Sequence, residues 1–104
     1  MSDGRILSPW KPEQEQIRLA ILGKLLEELG EAVAITARCV IQGVDENEPN
    51  THRPNREALE DELADVVAGI ALVTEHFGLR QNRMEDRAHT KAKHLKTWHA
   101  KLPL

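Results

Sequence analysis

The sequence predicts an all-α fold: two long helices in an antiparallel hairpin, then a shorter basic C-terminal helix, with copies assembled into an oligomeric helical bundle. Three observations carry this. Apolar residues recur at three- and four-residue steps over two long stretches, no segment alternates as a half-buried strand would, and glycines stand where the two long helical patterns end. At 104 residues the chain is one domain, 1–104, with a modest core for its surface. One Phe, two Trp and no Tyr make that core aliphatic. A short chain of few long helices commonly completes its core against a copy of itself, so a homodimer or homotetramer is expected.

Residues 1–11 form an N-terminal arm, broken by Ser8-Pro9 and by Lys11-Pro12. Pro12 suits a first helical position, and Glu13 and Glu15 then lie at the positive end of the helix dipole. Leu19, Leu22, Leu26, Leu29, Val33 and Val40 make the apolar stripe of this helix, which stops at Gly43. The loop between the helices is GVDENEPNTHRPN, 43–55, rich in Asn, Pro and acids. Asn55 is the expected N-cap of the second helix, with Glu57 in its first turn. That helix carries Leu59, Leu63, Val66, Ile70, Val73 and Phe77 to a stop near Gly78. After the link LRQN, the third helix shows Met84, Ala88, Ala92, Leu95 and Leu102.

Net charge is −3, against a nucleic-acid-binding surface as the main role. The charge is uneven. Thirteen of the seventeen acids lie between Glu13 and Asp65, while residues 80–101 carry seven Arg or Lys against Glu85 and Asp86. Cys39 is alone, so it forms no internal disulfide; it reads as a small buried apolar residue in a reducing cytoplasm. No apolar run is long enough for a signal peptide or a membrane span, so a cytoplasmic protein without a membrane partner is expected.

The acids of EELGE are the informative feature. At about 100° per residue, Glu28 and Glu31 fall beside the apolar stripe of the first helix, near Ile21, Ala32 and Ile35, with Glu27 further towards solvent. Like charges three or four residues apart repel by a few tenths of a kcal/mol even when exposed. In LEDELADVVAGI the second helix repeats the pattern, with Glu62 and Asp65 at the edge of its apolar face. Gly69 follows one turn later on that side. A helix-interior glycine costs about 1 kcal/mol against alanine, so it makes room for a neighbouring helix or a ligand. Either acid pair alone is ordinarily a solvated face. Two pairs, each beside a core stripe and separated by one loop, can bring four carboxylates together, and a cation makes that favourable. Oxygen donors without His or Cys favour Mg²⁺, then Mn²⁺.

Glu27-Glu28-x-x-Glu31 followed by Glu62-x-x-Asp65 resembles the EExxE…ExxD signature of the MazG-like all-α nucleoside triphosphate pyrophosphatases. LLEELGEAVAIT and LEDELADVVAGIALV add to the likeness, which covers about residues 17–100. The resemblance implies a Mg²⁺-dependent enzyme that cleaves a nucleoside triphosphate to the monophosphate and pyrophosphate, in house-cleaning or control of nucleotide pools. It implies Glu28, Glu31, Glu62 and Asp65 as metal ligands and Glu27 as an additional acid for a second ion or for orienting the attacking water. It implies dimers or tetramers with a partly shared site. Two features depart from the family: 30 residues separate Glu31 from Glu62, and an Arg/Lys pattern replaces the usual Lys, Asn and aromatic one on the last helix.

Such cleavage needs charge neutralisation and a positioned water more than covalent chemistry. Arg87, Lys91 and Lys93 are candidates to hold the outer phosphates; the other use of these bases is a solvated face paired with the acidic body. Trp10 and Trp98 are the candidate base contacts, whereas Phe77 continues the core stripe. His76 reads as a helix-end histidine, and no His pair has zinc spacing. The competing function is a non-catalytic helical dimerisation or adaptor module of the same fold. A hydrolase of another phosphate compound, such as a phosphoribosyl-linked nucleotide, is a third.

Overall fold

Glu13 and Glu15 decide where the first helix starts. The Glu13 carboxylate accepts from the Gln14 and Glu15 N–H groups at 3.1 and 3.2 Å, a local turn that competes with helix. Glu15, in an extended conformation, then caps the helix by accepting from the Arg18 N–H at 2.6 Å. Helix α1 therefore spans Gln16–Gln42, four residues later than Pro12 suggests. The structure is a computed structural model that describes residues 10–103; most of the expected arm, 1–11, lies outside them. Among the described residues there are two further helices, α2 (Asn55–Phe77) and α3 (Gln81–Ala100), and no strand. The fold is all-α, and α1 packs against α2.

Glycines end the first two helices as expected. Gly43 takes φ 107° and its N–H donates to Cys39 O at 2.9 Å. Gly78 is left-handed at φ 61°, where a side chain would be strained. The loop is tied down internally. The Glu48 carboxylate accepts from the Asn50 and Thr51 N–H groups, the Glu48 N–H donates to Arg53 O, and the Asn55 N–H donates to Glu46 O. Asn55 is not the expected N-cap. Pro54 holds that position without a side-chain hydrogen bond, and Asn55 is the first residue of α2, fully buried. Its Nδ2 donates to Gln42 Oε1 at 3.2 Å and to Gly43 O at 3.0 Å, satisfying groups at the end of α1.

The helix faces differ most from expectation. Leu19, Leu26, Leu29, Val33 and Val40 do not enter the hairpin; they are exposed. The buried or partly buried side chains of α1 are Leu22, at the margin of the expected stripe, and the face Ile21, Leu25, Glu28, Ala32, Ile35 and Cys39, centred roughly 100° round the helix at about 100° per residue. On α2 the buried positions are Asn55, Ala58, Gly69 and Val73, while Leu63 and Ile70 of the expected stripe stay exposed. Small residues explain the rotation. A Cβ on Gly69 would meet Leu25 Cδ1 at 3.1 Å and the Leu25 Cα at 3.9 Å, so the backbones approach closely there. The helices dock through their small-residue sides; most of the α1 stripe is left open, whereas on α2 Leu59, Val66, Val73 and Phe77 of the expected stripe are buried or partly buried. In an antiparallel pair these rotations carry the exposed parts of both stripes to the same side of the hairpin.

At its open end the hairpin closes on Phe77, with the Arg18 guanidinium 4.9 Å from the ring centroid. The link to α3 ends two residues earlier than expected: Gly78, Leu79 and Arg80 lie between the helices, and Gln81 and Asn82 belong to α3. Helix α3 does not pack along the hairpin; only Met84 on it is partly buried, and Thr74 Oγ1 lies 3.9 Å from Met84 Sδ. The described chain measures 60 × 37 × 28 Å with a radius of gyration of 19.1 Å. A compact domain of this length would have about 13 Å.

Candidate metal centre

Four carboxylates meet between α1 and α2, with Glu28 and Glu62 partly buried and Glu31 and Asp65 exposed. Glu28 and Glu31 come from the middle of α1, Glu62 and Asp65 from the first half of α2, and one oxygen from each lies within 4.8 Å of the others. The rotation of the helices puts them there. Glu28 belongs to the packing face, and its side chain retains 15% exposure. Its stem lies 3.8 Å from where a Gly69 Cβ would be, so Gly69 seats both helix and acid. Glu62 is partly buried, and its Oε2 is fully enclosed without a hydrogen-bond partner.

The crowding perturbs the acids. Burial, and then the charges of Glu31 and Asp65, push Glu28 above the usual carboxylate range. Glu31 is pushed up first by Glu62, through a shared hydrogen bond and its charge, and then by burial. A cation would relieve that repulsion. Glu27 lies outside the tight cluster, more than half exposed, with Lys24 Nζ 3.2 Å away. Lys24 reaches Glu28 at 3.8 Å and is raised mainly by its hydrogen bond to Glu27.

Donor chemistry and spacing suit a small hard ion. Mg²⁺ holds oxygens at about 2.1 Å, so ligands across one ion stand at most about 4.2 Å apart. Oxygens already within 4.8 Å need only small side-chain shifts to reach that.

Beside the cluster is a cleft of about 190 Å³ lined by Glu31, Ile35, Arg38, Arg53, Ala58 and Glu62 among others. Arg38 and Arg53 were not among the sequence candidates. Arg38 stands seven residues after Glu31, hence on the same face of α1, which was a readable signal. Arg53 lies in an aperiodic loop and gave none. Arg87, Lys91 and Lys93 are exposed on α3 and do not line this cleft. Trp98 and Trp10 are 59% and 82% exposed. A larger concavity, about 860 Å³, lies between α2 and α3, lined by Val67, Ile70, Met84 and Ala88 among others, and includes none of the four acids. No family model, curated protein or solved structure matches this chain.

Proposed function

We propose that the chain is a Mg²⁺-dependent nucleoside triphosphate pyrophosphohydrolase of the MazG-like kind, converting a (d)NTP and water to the (d)NMP and pyrophosphate. The observation that supports it is the meeting of Glu28, Glu31, Glu62 and Asp65 between two helices, with Glu62 Oε2 enclosed and unpartnered. Glu28 and Glu62 are partly buried and Glu31 and Asp65 exposed, and four acids drawn this close repel one another unless a cation joins them. Mg²⁺, or Mn²⁺ in its place, would be held by these four residues and would supply positive charge against the phosphate oxygens. Glu27, on the solvent side of the cluster, would help bind a second ion or orient the attacking water. The water oxygen bonds to the α-phosphorus, the bond to the bridging oxygen breaks, and pyrophosphate leaves.

The working unit in this reading is a homodimer or a larger homo-oligomer. Leu26, Val33 and Val40 are each more than two-thirds exposed, and a second copy seated on them would complete the bundle. It would also bring a second α3, with Arg87, Lys91, Lys93 and Trp98, towards the shared face.

A panel of ordinary and modified (d)NTPs with Mg²⁺, read by pyrophosphate release, tests the activity. At least one nucleotide should be cleaved, and Glu31→Gln and Asp65→Asn should each lose at least a hundredfold in rate (roughly 3 kcal/mol of barrier). Full rate in either variant would remove the metal mechanism. No cleavage, with a melting temperature indifferent to Mg²⁺, would favour the non-catalytic adaptor.

A further inference from the structure

The cleft beside the acid cluster has an arrangement the four carboxylates do not explain. Glu31 and Glu62 line it together with Arg38 and Arg53, and Ile35 and Ala58 add apolar surface. Opposite charges in so small a space would be expected to pair. Among the described residues, neither arginine forms an ion pair with Glu31 or Glu62. Arg53 pairs with Asp61, which does not line the cleft, and among the described residues Arg38 has no ion-pair partner within 4 Å. Arg53 is also held through its backbone: its carbonyl accepts from the Glu48 N–H at 2.9 Å, and its N–H donates to Thr51 Oγ1 at 3.3 Å. The long loop thus delivers Arg53 to the cleft lining, and α1 supplies Arg38.

Resting on the cation-site reading above, we propose that Arg38 and Arg53 form an anion subsite that takes the terminal diphosphate of the substrate. A diphosphate meets both demands of the cleft, since its oxygens accept from guanidinium forks on one side and share a cation with the carboxylates on the other. Volume selects the group. Pockets for whole drug-sized ligands run to about 300–1,000 Å³, so a cleft of about 190 Å³ suits the phosphate tail and leaves the nucleoside outside it. Asp61 presets Arg53 while engaging only part of its donor fork. Loop 43–55 is then the element that makes the site phosphate-specific.

The test uses the full chain and two separate binding measurements. Mn²⁺ binding, followed by electron paramagnetic resonance, reads the acid cluster alone. Preformed magnesium pyrophosphate, titrated calorimetrically at saturating Mg²⁺, reads the subsite, and melts establish that each variant is folded. Arg38→Gln and Arg53→Gln should each weaken pyrophosphate about tenfold and leave Mn²⁺ binding unchanged. Glu31→Gln should do the reverse to Mn²⁺. Asp61→Asn breaks the same ion pair as Arg53→Gln but keeps the guanidinium, so it should retain pyrophosphate affinity. Unchanged pyrophosphate affinity in both arginine variants, with Mn²⁺ still bound, would overturn the subsite and leave the metal reading standing. Weakening by Lys91→Gln and Lys93→Gln in place of the arginine variants would overturn it in favour of α3. Equal loss in Asp61→Asn and Arg53→Gln would reduce Arg53 to a loop anchor and overturn its contact with phosphate. Failure of the wild-type chain to bind Mn²⁺ would remove the cluster and the subsite together.

Discussion

The carboxamide of Asn55 joins the start of α2 to the end of α1 through two hydrogen bonds, inside a fully buried pocket. Alanine there would leave Gly43 O and Gln42 without their donor, so Asn55→Ala should cost about 1–3 kcal/mol in denaturant melts. The acids predict a pH dependence. Glu28 and Glu31 hold their protons more tightly in the folded chain, Glu28 through burial and Glu31 through Glu62. The folded state therefore binds more protons between the ordinary glutamate value near 4.3 and the raised values, and stability falls as pH rises through that window. Without divalent ions the melting temperature should rise on acidification into the window, and Glu31→Gln should flatten the rise. Saturating Mg²⁺ should oppose it, because the ion favours the ionised acids. Glu48 and Glu15, lowered by backbone N–H groups, act the other way but only below the window. A metal-free melting temperature that instead drops as the pH falls into that window would contradict the crowding of the acids.

The hairpin's spacing rests on Gly69. An alanine Cβ would press on the end of the Leu25 side chain, which can give by a few tenths of an ångström, and alanine gains about 1 kcal/mol in helix propensity. Gly69→Ala should therefore leave stability within about 1 kcal/mol. Gly69→Val adds branched bulk against the Leu25 backbone and the Glu28 stem; it should cost about 1–3 kcal/mol and weaken Mn²⁺ binding by parting the acids. A valine variant with unaltered Mn²⁺ affinity would separate helix spacing from the site. Helix α1 shows what an apolar pattern does and does not specify. Its three- and four-residue periodicity identified the helix, but the stripe was wider than one interface, and the small residues Ala32, Ala58 and Gly69 determined which part α2 covers.

For the whole molecule, a radius of gyration of 19.1 Å and a core of Ile35, Cys39, Ala58 and Val73 among the described residues describe an extended hairpin with a small core, and the proposed homo-oligomer would enlarge it. Sedimentation of the wild-type chain should give a dimer or a larger assembly. Leu26→Glu with Val33→Glu, placed on the open stripe away from the acids, should produce a monomer that melts well below the wild type. A wild-type chain that sediments as a stable monomer would count against the shared bundle.

The helices, the glycine stops and the four acids were legible in the sequence because each is a local property: period, backbone freedom, and carboxylates three residues apart. The start of α1 was missed because Glu13 and Glu15 bind backbone N–H groups outside the helix. Tertiary structure alone decided the rotation of the pair, and with it the move of Glu28 and Glu62 from the edge of the stripes into the interface. It alone made Asn55 a buried tie and brought Arg53 beside Glu31 and Glu62. Periodicity sets which residues share a face, whereas close approach of two backbones depends on where small residues on both helices coincide. That coincidence exists only once the chain has folded back on itself.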